Sequence, residues 1–435
     1  MSDMRERIRR RPAVAALALG LVTLGIYLIG FQYTEGSGDA APHELLPIVL
    51  LEHGNFYFDD YAGKDRPLLY FYVESKGHVV SFYPIVPGLL NVPAALIGKV
   101  CGMDLYARRY LLAKWTAAVV TAASVSFMFL ALVRVCSRFW IAVWLALVYA
   151  CCTTVWSTAS LCLLQHGPSL LFLTSAMALL GNPQSRWMPF CGFFLGMAVF
   201  NHPANALFAL PIAIYMVLHH RQRLIPFIAS ALVPAILMAL YSHYYWGSIL
   251  ALGQGHRWEG TLGPHYTHFH GPLFGTLAGH LFSPGRGLFV FSPVFLFSVP
   301  MLFWVLFSSK ANPLHRYLVI GALADLVLYA KWSIWWGGWS FGYRLLTEMV
   351  PVLTLMLALG WERFIVRYRS LQALLLVTVL LSAYFHFLGV YFPSDWNVTP
   401  TNIDTSPQRL WDWHDTALGR SQMLFCKSLH GSGPN

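Results

Sequence analysis

The chain has 435 residues, 57% of them hydrophobic and only 11% charged, with a formal net charge of +10. Soluble globular domains carry roughly a quarter charged residues, so the composition excludes an ordinary soluble enzyme, and a mean hydropathy of +0.55 points to a bilayer protein. The basic excess falls in short connectors between apolar runs, which speaks for membrane topology rather than nucleic-acid binding.

Taken in chain order, the apolar runs predict an all-α integral membrane protein with about eleven spanning helices. Their bounds are 13–33, 110–134, 139–156, 162–181, 187–201, 203–219, 224–246, 287–307, 315–334, 343–361 and 371–392. The first run follows "RERIRRR", is longer than a signal-peptide core and lacks a small-x-small cleavage site, so it reads as a retained anchor. The connectors "VCSRF", "NPQSRW", "HHRQR", "SSKANPLHR" and "ERFIVRYRS" are short and basic, which assigns them to the cytoplasm with the N-terminus. The long connectors 34–109 and 247–286 and the tail 393–435 then lie outside, with the C-terminus. The organisation expected is one polytopic domain, 1–435. Its N-terminal module, 1–246, carries the first outer loop, and its C-terminal part, 247–435, carries the second outer loop and the tail. Within the first loop, "HELLPIVLLEHG" at 43–54 and "YPIVPGLLNVPAALIGKVCG" at 83–102 read as helices lying in the interface plane.

Ionisable residues concentrate on the outer side. Asp39 follows the first span between Gly38 and two alanines, where adjoining lipid would make its carboxylate a better proton acceptor. Asp59, Asp60 and Asp65 lie farther along and suit a cation or a polyol. Arg108, Arg109 and Lys114 mark the second span, Arg286 stands in "SPGRG", Lys331 ends the ninth span and Arg344 opens the tenth in "GGWSFGYRLL". Outside arginines run against the charge bias; they either snorkel to lipid headgroups or hold a phosphate in a fixed fork. Outer histidines include His166, His202, His256, His280 and the run "HYTHFH" at 265–270, whose spacing admits zinc but lacks a supporting Cys or H-E-x-x-H pattern. Asp325 lies mid-span, and Glu348 is spaced to pair with Arg344 at i,i+4. The seven cysteines show no metal-ligand spacing; Cys101 and Cys426 share the outer side, which leaves a disulfide between them open. Neither GxxxxGK[ST] nor a strand-borne GxGxxG occurs, so chemistry on the outer face calls for a lipid-linked activated donor.

Several stretches in order along the chain carry a resemblance: "SGDAAPHELLPIVLLEHGNFYFDDY", "SFYPIVPGLLNVPAALIG", "LLQHGPSLLFLT", "GFFLGMAVFNHPANALFALPIAIY", "HLFSPGRGLFVFSPVFLF", "WWGGWSFGYRLLTEMVPVL" and "RLWDWHDTALGRSQ". Together they resemble the multi-spanning glycosyltransferases of GT-C fold, especially bacterial members of the family 39 type. The resemblance implies Asp39 as general base or acceptor-orienting residue. It implies a donor sugar on polyprenyl phosphate, undecaprenyl in bacteria, an inner-membrane location and a glycan, lipid or protein acceptor. Two departures stand out: Ala40 replaces a second acid after Asp39, the next carboxylate being Glu44, and His202 stands before Pro203 where relatives often show arginine. No cofactor is required, no metal ligand set is named, and a divalent cation stays open.

The expected site therefore has Asp39 as catalytic acid-base, Arg108, Arg286, Lys331 and Arg344 at the donor phosphate, and Glu44, Asp60, His166 and His280 near the sugars. Tyr83, Trp258, Trp332, Trp335, Trp336 and Trp339 suit stacking on a sugar's CH face. An oligosaccharide polymerase or ligase using Arg257, His280 and Arg286 is a competing reading. So is a lipid or glycan transporter coupled through Asp325 and Lys331, although the two halves show no internal repeat.

Overall fold

A computed structural model describes residues 12–29, 38–61, 71–251, 253 and 269–430. The helices are α1 (Pro12–Leu28), α2 (Ala41–His53), α3 (Val86–Val100), α4 (Arg109–Leu132), α5 (Phe139–Cys151), α6 (His166–Leu180), α7 (Cys191–Asn201) and α8 (Ala206–His219). They continue with α9 (Leu224–Trp246), α10 (Leu273–Phe282), α11 (Val299–Phe307), α12 (Pro313–Lys331), α13 (Val350–Arg363), α14 (Arg369–Tyr391) and α15 (Ala417–Leu429). Proline at the first turn starts several of them, where its missing N–H costs nothing. Gly54 and Gly247 end α2 and α9 in the left-handed conformation.

Among the described residues, four helical stretches are long and apolar enough to cross a membrane: Arg109–Leu132, Arg221–Trp246, Arg344–Arg367 and Arg369–Tyr391. Other apolar segments are shorter and irregular. The run expected at 139–156 ends as α-helix at Cys151 and continues into a π-turn, Val155–Ala159. The run at 287–307 breaks at Ser292, before Pro293, into a short turn, a 3-10 stretch and α11. The tenth expected span opens as a 3-10 helix, Arg344–Met349, before α13 takes over.

The first long loop departs from the expected pair of interfacial ledges. Helix α2 is buried from Pro42 to Val49 rather than laid open on one side. Gly88 lets α3 approach so closely that a Cβ there would sit 2.8 Å from Leu46 Cβ. Only α3 keeps an open apolar face, through Leu96, Ile97 and Val100. Between them lies an unexpected antiparallel hairpin, β1 (Tyr72–Ser75) with β2 (His78–Ser81). Its two-residue turn places Lys76 and Gly77 at φ 53° and 80°, the backbone that a tight hairpin with the strands' own twist requires. Lys76 Nζ then donates to Tyr244 O at 2.6 Å, tying the hairpin to the end of α9.

The basic connectors converge at one end of the molecule. Glu362 accepts from Ser137 N and Oγ, Arg223 donates to Ser185 O and Gln184 O, Tyr317 packs on His219, and Arg316 donates to Ser308 O. The other end carries the first loop, the hinge after α7 and the segment before Arg344. There the tail forms a small core of its own, Trp396, Ile403, Leu410 and Ala417, packed on Trp335, Trp336 and Phe341. Asp415 ties it together, accepting from Arg420 Nε at 2.6 Å and from Arg409 at 3.1 Å. Cys101 and Cys426 are free thiols.

Small residues set a close helix crossing. Gly192 and Gly196, spaced as GxxxG on α7, face α9: a Cβ on Gly196 would lie 2.4 Å from Pro234 Cγ and one on Gly192 2.4 Å from Phe227 O. Gly196→Leu is expected to force α7 from α9 and cost about 1–3 kcal/mol, read as a lower melting temperature in detergent. In the tail, burial acts to raise the Asp415 carboxyl, but hydrogen bonds from Arg420 and Arg409 outweigh it and hold the group below its ordinary value. A carboxyl depressed in the folded state stabilises fully above its unfolded value of about 3.9 and loses that contribution as pH falls through the folded value. Hydrogen exchange across 395–429 should therefore accelerate on acidification below about pH 4, and Asp415→Asn should remove that dependence.

Candidate functional site

Asp39 lies in a single 3-10 turn, Gly38–Ala40, that leads into α2. Its Oδ1 accepts a hydrogen bond from Tyr83 Oη at 2.6 Å, and its Oδ2 pairs with Arg344 Nη2. The pair is mostly shielded, with side-chain exposures of 19% and 11%. Arg344 reaches this point because the "WWGGWSFGYR" segment folds back tightly. Gly337, Gly338 and Gly342 all have φ near 70°, a region closed to most side chains.

Arg344 also donates from Nε to His166 Nε2 at 3.2 Å. That makes Nε2 the acceptor, so the proton of a neutral ring sits on Nδ1, which lies 3.0 and 3.1 Å from the Glu348 oxygens. Glu348 Oε1 takes a second imidazole, His202 Nδ1, at 3.2 Å, and His202 Nε2 lies 3.3 Å from Tyr329 Oη. The result is one directed chain of hydrogen bonds. Tyr83 and Arg344 converge on Asp39, and the two histidines converge on Glu348, both carboxylates acting as acceptors.

The i,i+4 pairing expected between Arg344 and Glu348 is replaced by this chain. Residues 344–349 form a 3-10 helix with three residues per turn, so positions four apart diverge by about a third of a turn. Glu348 consequently turns to the histidines. Asp325 lies one turn before Tyr329 on α12, wholly buried and electrostatically coupled to Glu348, and its Oδ2 has no hydrogen-bond partner among the described residues.

Of the residues expected in the site, Asp39, His166 and Arg344 are brought together. Arg286 is not directed at them. Its guanidinium donates to Trp336 O at 2.8 Å, Gly285 O at 2.8 Å, Gly338 O at 2.9 Å and Asn397 Oδ1 at 2.7 Å, and it is 1% exposed. It clamps the loop leading to Arg344 rather than presenting a free fork. His280 is buried edge-on against Trp335, Lys331 is exposed with Nζ 3.4 Å from Gly271 O, and Arg108 is exposed. Arg109 lies over Tyr106 and Tyr110, and Lys114 donates to Ser160 O. Glu44 is buried in α2, Asp60 pairs with His53 at 3.1 Å, and Asp59 accepts from Val79 N and contacts His78. Asp65, His256, Arg257, Trp258, His265 and His268 lie outside the described residues. Tyr83, expected only to stack on a sugar, is the second partner of Asp39, and Tyr329 was not anticipated. The one signal for them is general: a buried carboxylate must find donors.

A small apolar pocket of about 30 Å³ opens beside this chain, lined among others by Tyr83, Phe200, Pro203, Met238, Tyr241 and Trp246. Tyr83 and the His202–Pro203 hinge thus touch both the pocket and the polar network. A divalent cation, left open by the sequence, has no ready group of three His, Cys, Asp or Glu ligands among the described residues. Both Asp39 oxygens are already engaged. That donor set, as it stands, does not fit a metal ion.

Removing Glu348 would strand two imidazoles at once, His166 buried and His202 partly so. Glu348→Ala is expected to cost about 3–5 kcal/mol, the usual penalty for breaking a buried hydrogen-bonded pair, with Glu348→Gln milder; thermal unfolding in detergent checks the order.

No family model matches the chain, and comparison with curated proteins finds no relative. Solved structures do match. The oligosaccharyltransferase of Archaeoglobus fulgidus in its apo form aligns with a TM-score of 0.58 at 11% identity, over 92% of this chain and 60% of its own. The same protein tethered to an acceptor peptide containing the NVT sequon gives 0.57 at 12% identity, over 93% and 59%. Its complex with zinc and sulfate gives 0.55 at 12% identity, over 92% and 57%. The chain thus spans about 60% of the length of the structures it matches, and the likeness is one of fold. That fold is GT-C.

Proposed function

We propose that the protein is a glycosyltransferase that moves a sugar from a polyprenyl-phosphate donor to a hydroxyl acceptor on the extracytoplasmic face. In this reading about eleven segments cross the bilayer, the basic end faces the cytoplasm of a bacterium with the N-terminus, and the tail is periplasmic. The observation that carries it is the Asp39–Arg344 pair, set at the end opposite the basic connectors and beside an apolar pocket. Membership of the GT-C fold supports the same class of chemistry.

The chemistry follows from the two partners. The acceptor hydroxyl gives its proton to Asp39 as its oxygen bonds to the anomeric carbon. The bond from that carbon to the phosphate oxygen breaks, and the phosphate departs with the electron pair. A phosphate leaving group needs charge stabilisation rather than a proton, and Arg344 supplies it. A donor phosphate at Arg344 would replace Asp39 as the guanidinium's partner, so donor binding itself frees the carboxylate to act. The apolar lining between Tyr83 and Trp246 lies where the first prenyl unit of such a donor would pass. Arg286, Lys331 and Arg108 then belong to loop architecture and the interface rather than to the phosphate.

Oligosaccharyltransferases share the fold, and one of the matching structures holds an acceptor peptide; a protein acceptor is accordingly included beside glycan and lipid. The test is transfer from a synthetic polyprenyl-phosphate sugar by the purified protein in nanodiscs. Asp39→Asn should lower turnover by about 10²–10⁴-fold while donor binding persists. Arg344→Gln should weaken donor binding as well as turnover. Full transfer by Asp39→Asn would remove the carboxylate from the reaction and the proposal with it.

A further inference from the structure

At the basic end, far from Asp39, an open cleft of about 560 Å³ is lined by Pro300, Met301, Arg363, Phe364 and Arg367. Its floor is apolar and its rim carries two exposed guanidinium groups. Neither arginine forms an ion pair among the described residues. Glu362, next in sequence, is committed to Ser137 N at 3.0 Å and Ser137 Oγ at 2.7 Å.

Structural duties that would explain these arginines are taken by others. The carbonyls at the end of α11 are met by Arg316, which donates to Val305 O and Ser308 O. The carbonyls of Ile365 and Val366 are met by Gln372 Nε2. Arg363 is held by its flat face alone, 3.9 Å over the Trp304 ring, which leaves its N–H edges for another acceptor. From the cleft an apolar strip runs along α11 and the 3-10 stretch before it: Leu296, Pro300, Phe303 and Phe307, all exposed and spaced by three or four residues.

We infer that this cleft binds an anionic phospholipid, its phosphate between Arg363 and Arg367 and an acyl chain along the strip. Charge complementarity selects an anion, and the continuity of the strip with the cleft selects a lipid over a free anion. The site goes beyond the proposed transfer reaction and stands apart from it. Basic residues near a membrane surface attract acidic lipids, but here two of them share a cavity.

The test is native mass spectrometry of the full chain in detergent with added phosphatidylglycerol or phosphatidylcholine. Wild type should retain phosphatidylglycerol about tenfold better. The double variant Arg363→Gln, Arg367→Gln should bind the two lipids alike with an unchanged melting temperature, whereas Arg369→Gln, an exposed arginine at the same end, should keep the preference. Equal retention by wild type, or a preference that survives the double substitution, would overturn the inference. So would glycerol phosphate displacing the lipid at equal concentration, since it carries the charge without the chain.

Discussion

A carboxylate and a guanidinium from positions 305 residues apart meet at one end of the helix bundle, and much of the architecture at that end serves the meeting. Taking two charges out of water is costly unless the geometry is good and the remaining donors and acceptors are satisfied. Asp39 meets the condition through Tyr83, and Arg344 through His166. Tyr83, His166 and Arg344 each come from a different part of the chain: the hairpin's exit, the start of α6 and the glycine-rich turn before α13. The tight loops, the buried α2 and the abrupt start of α6 are the means of bringing them within reach.

The second carboxylate extends the same logic inward. Glu348 lies between two imidazoles whose other nitrogens are also engaged, by Arg344 and by Tyr329. With one nitrogen accepting and the other donating, each ring has its orientation set from both sides. The hinge between α7 and α8 is thereby tied to the same cluster as Asp39. A polar network of this kind specifies one arrangement because every member constrains the next.

Much of this was legible in the sequence. The helices were readable because lipid demands continuous apolar runs. Asp39 and Arg344 were readable as candidates since each is a charge placed where a helix begins or ends. Their neighbours were less so. Glu348 was assigned to Arg344 on α-helical phase, and the local 3-10 geometry turned it elsewhere. Arg286 looked like a ligand arginine because "SPGRG" gives access, yet access served backbone carbonyls instead of a phosphate. A glycine-rich setting admits either partner, and sequence carries no term that separates them. The hairpin at 72–81 and the helix α10 were hidden inside segments whose polarity read only as loop.

Arg286 gives the tail a meaning of its own. The guanidinium is bonded simultaneously to the turn that carries Arg344, through Trp336 and Gly338, and to Asn397 of the tail. Trp396 covers one side of it and Gly285 backs it. The tail is therefore the mould in which a loop more than fifty residues earlier sets. Without residues 395–417 folded over it, this cation has neither its cover nor its full complement of acceptors, so the turn that carries Arg344 takes its shape from the tail.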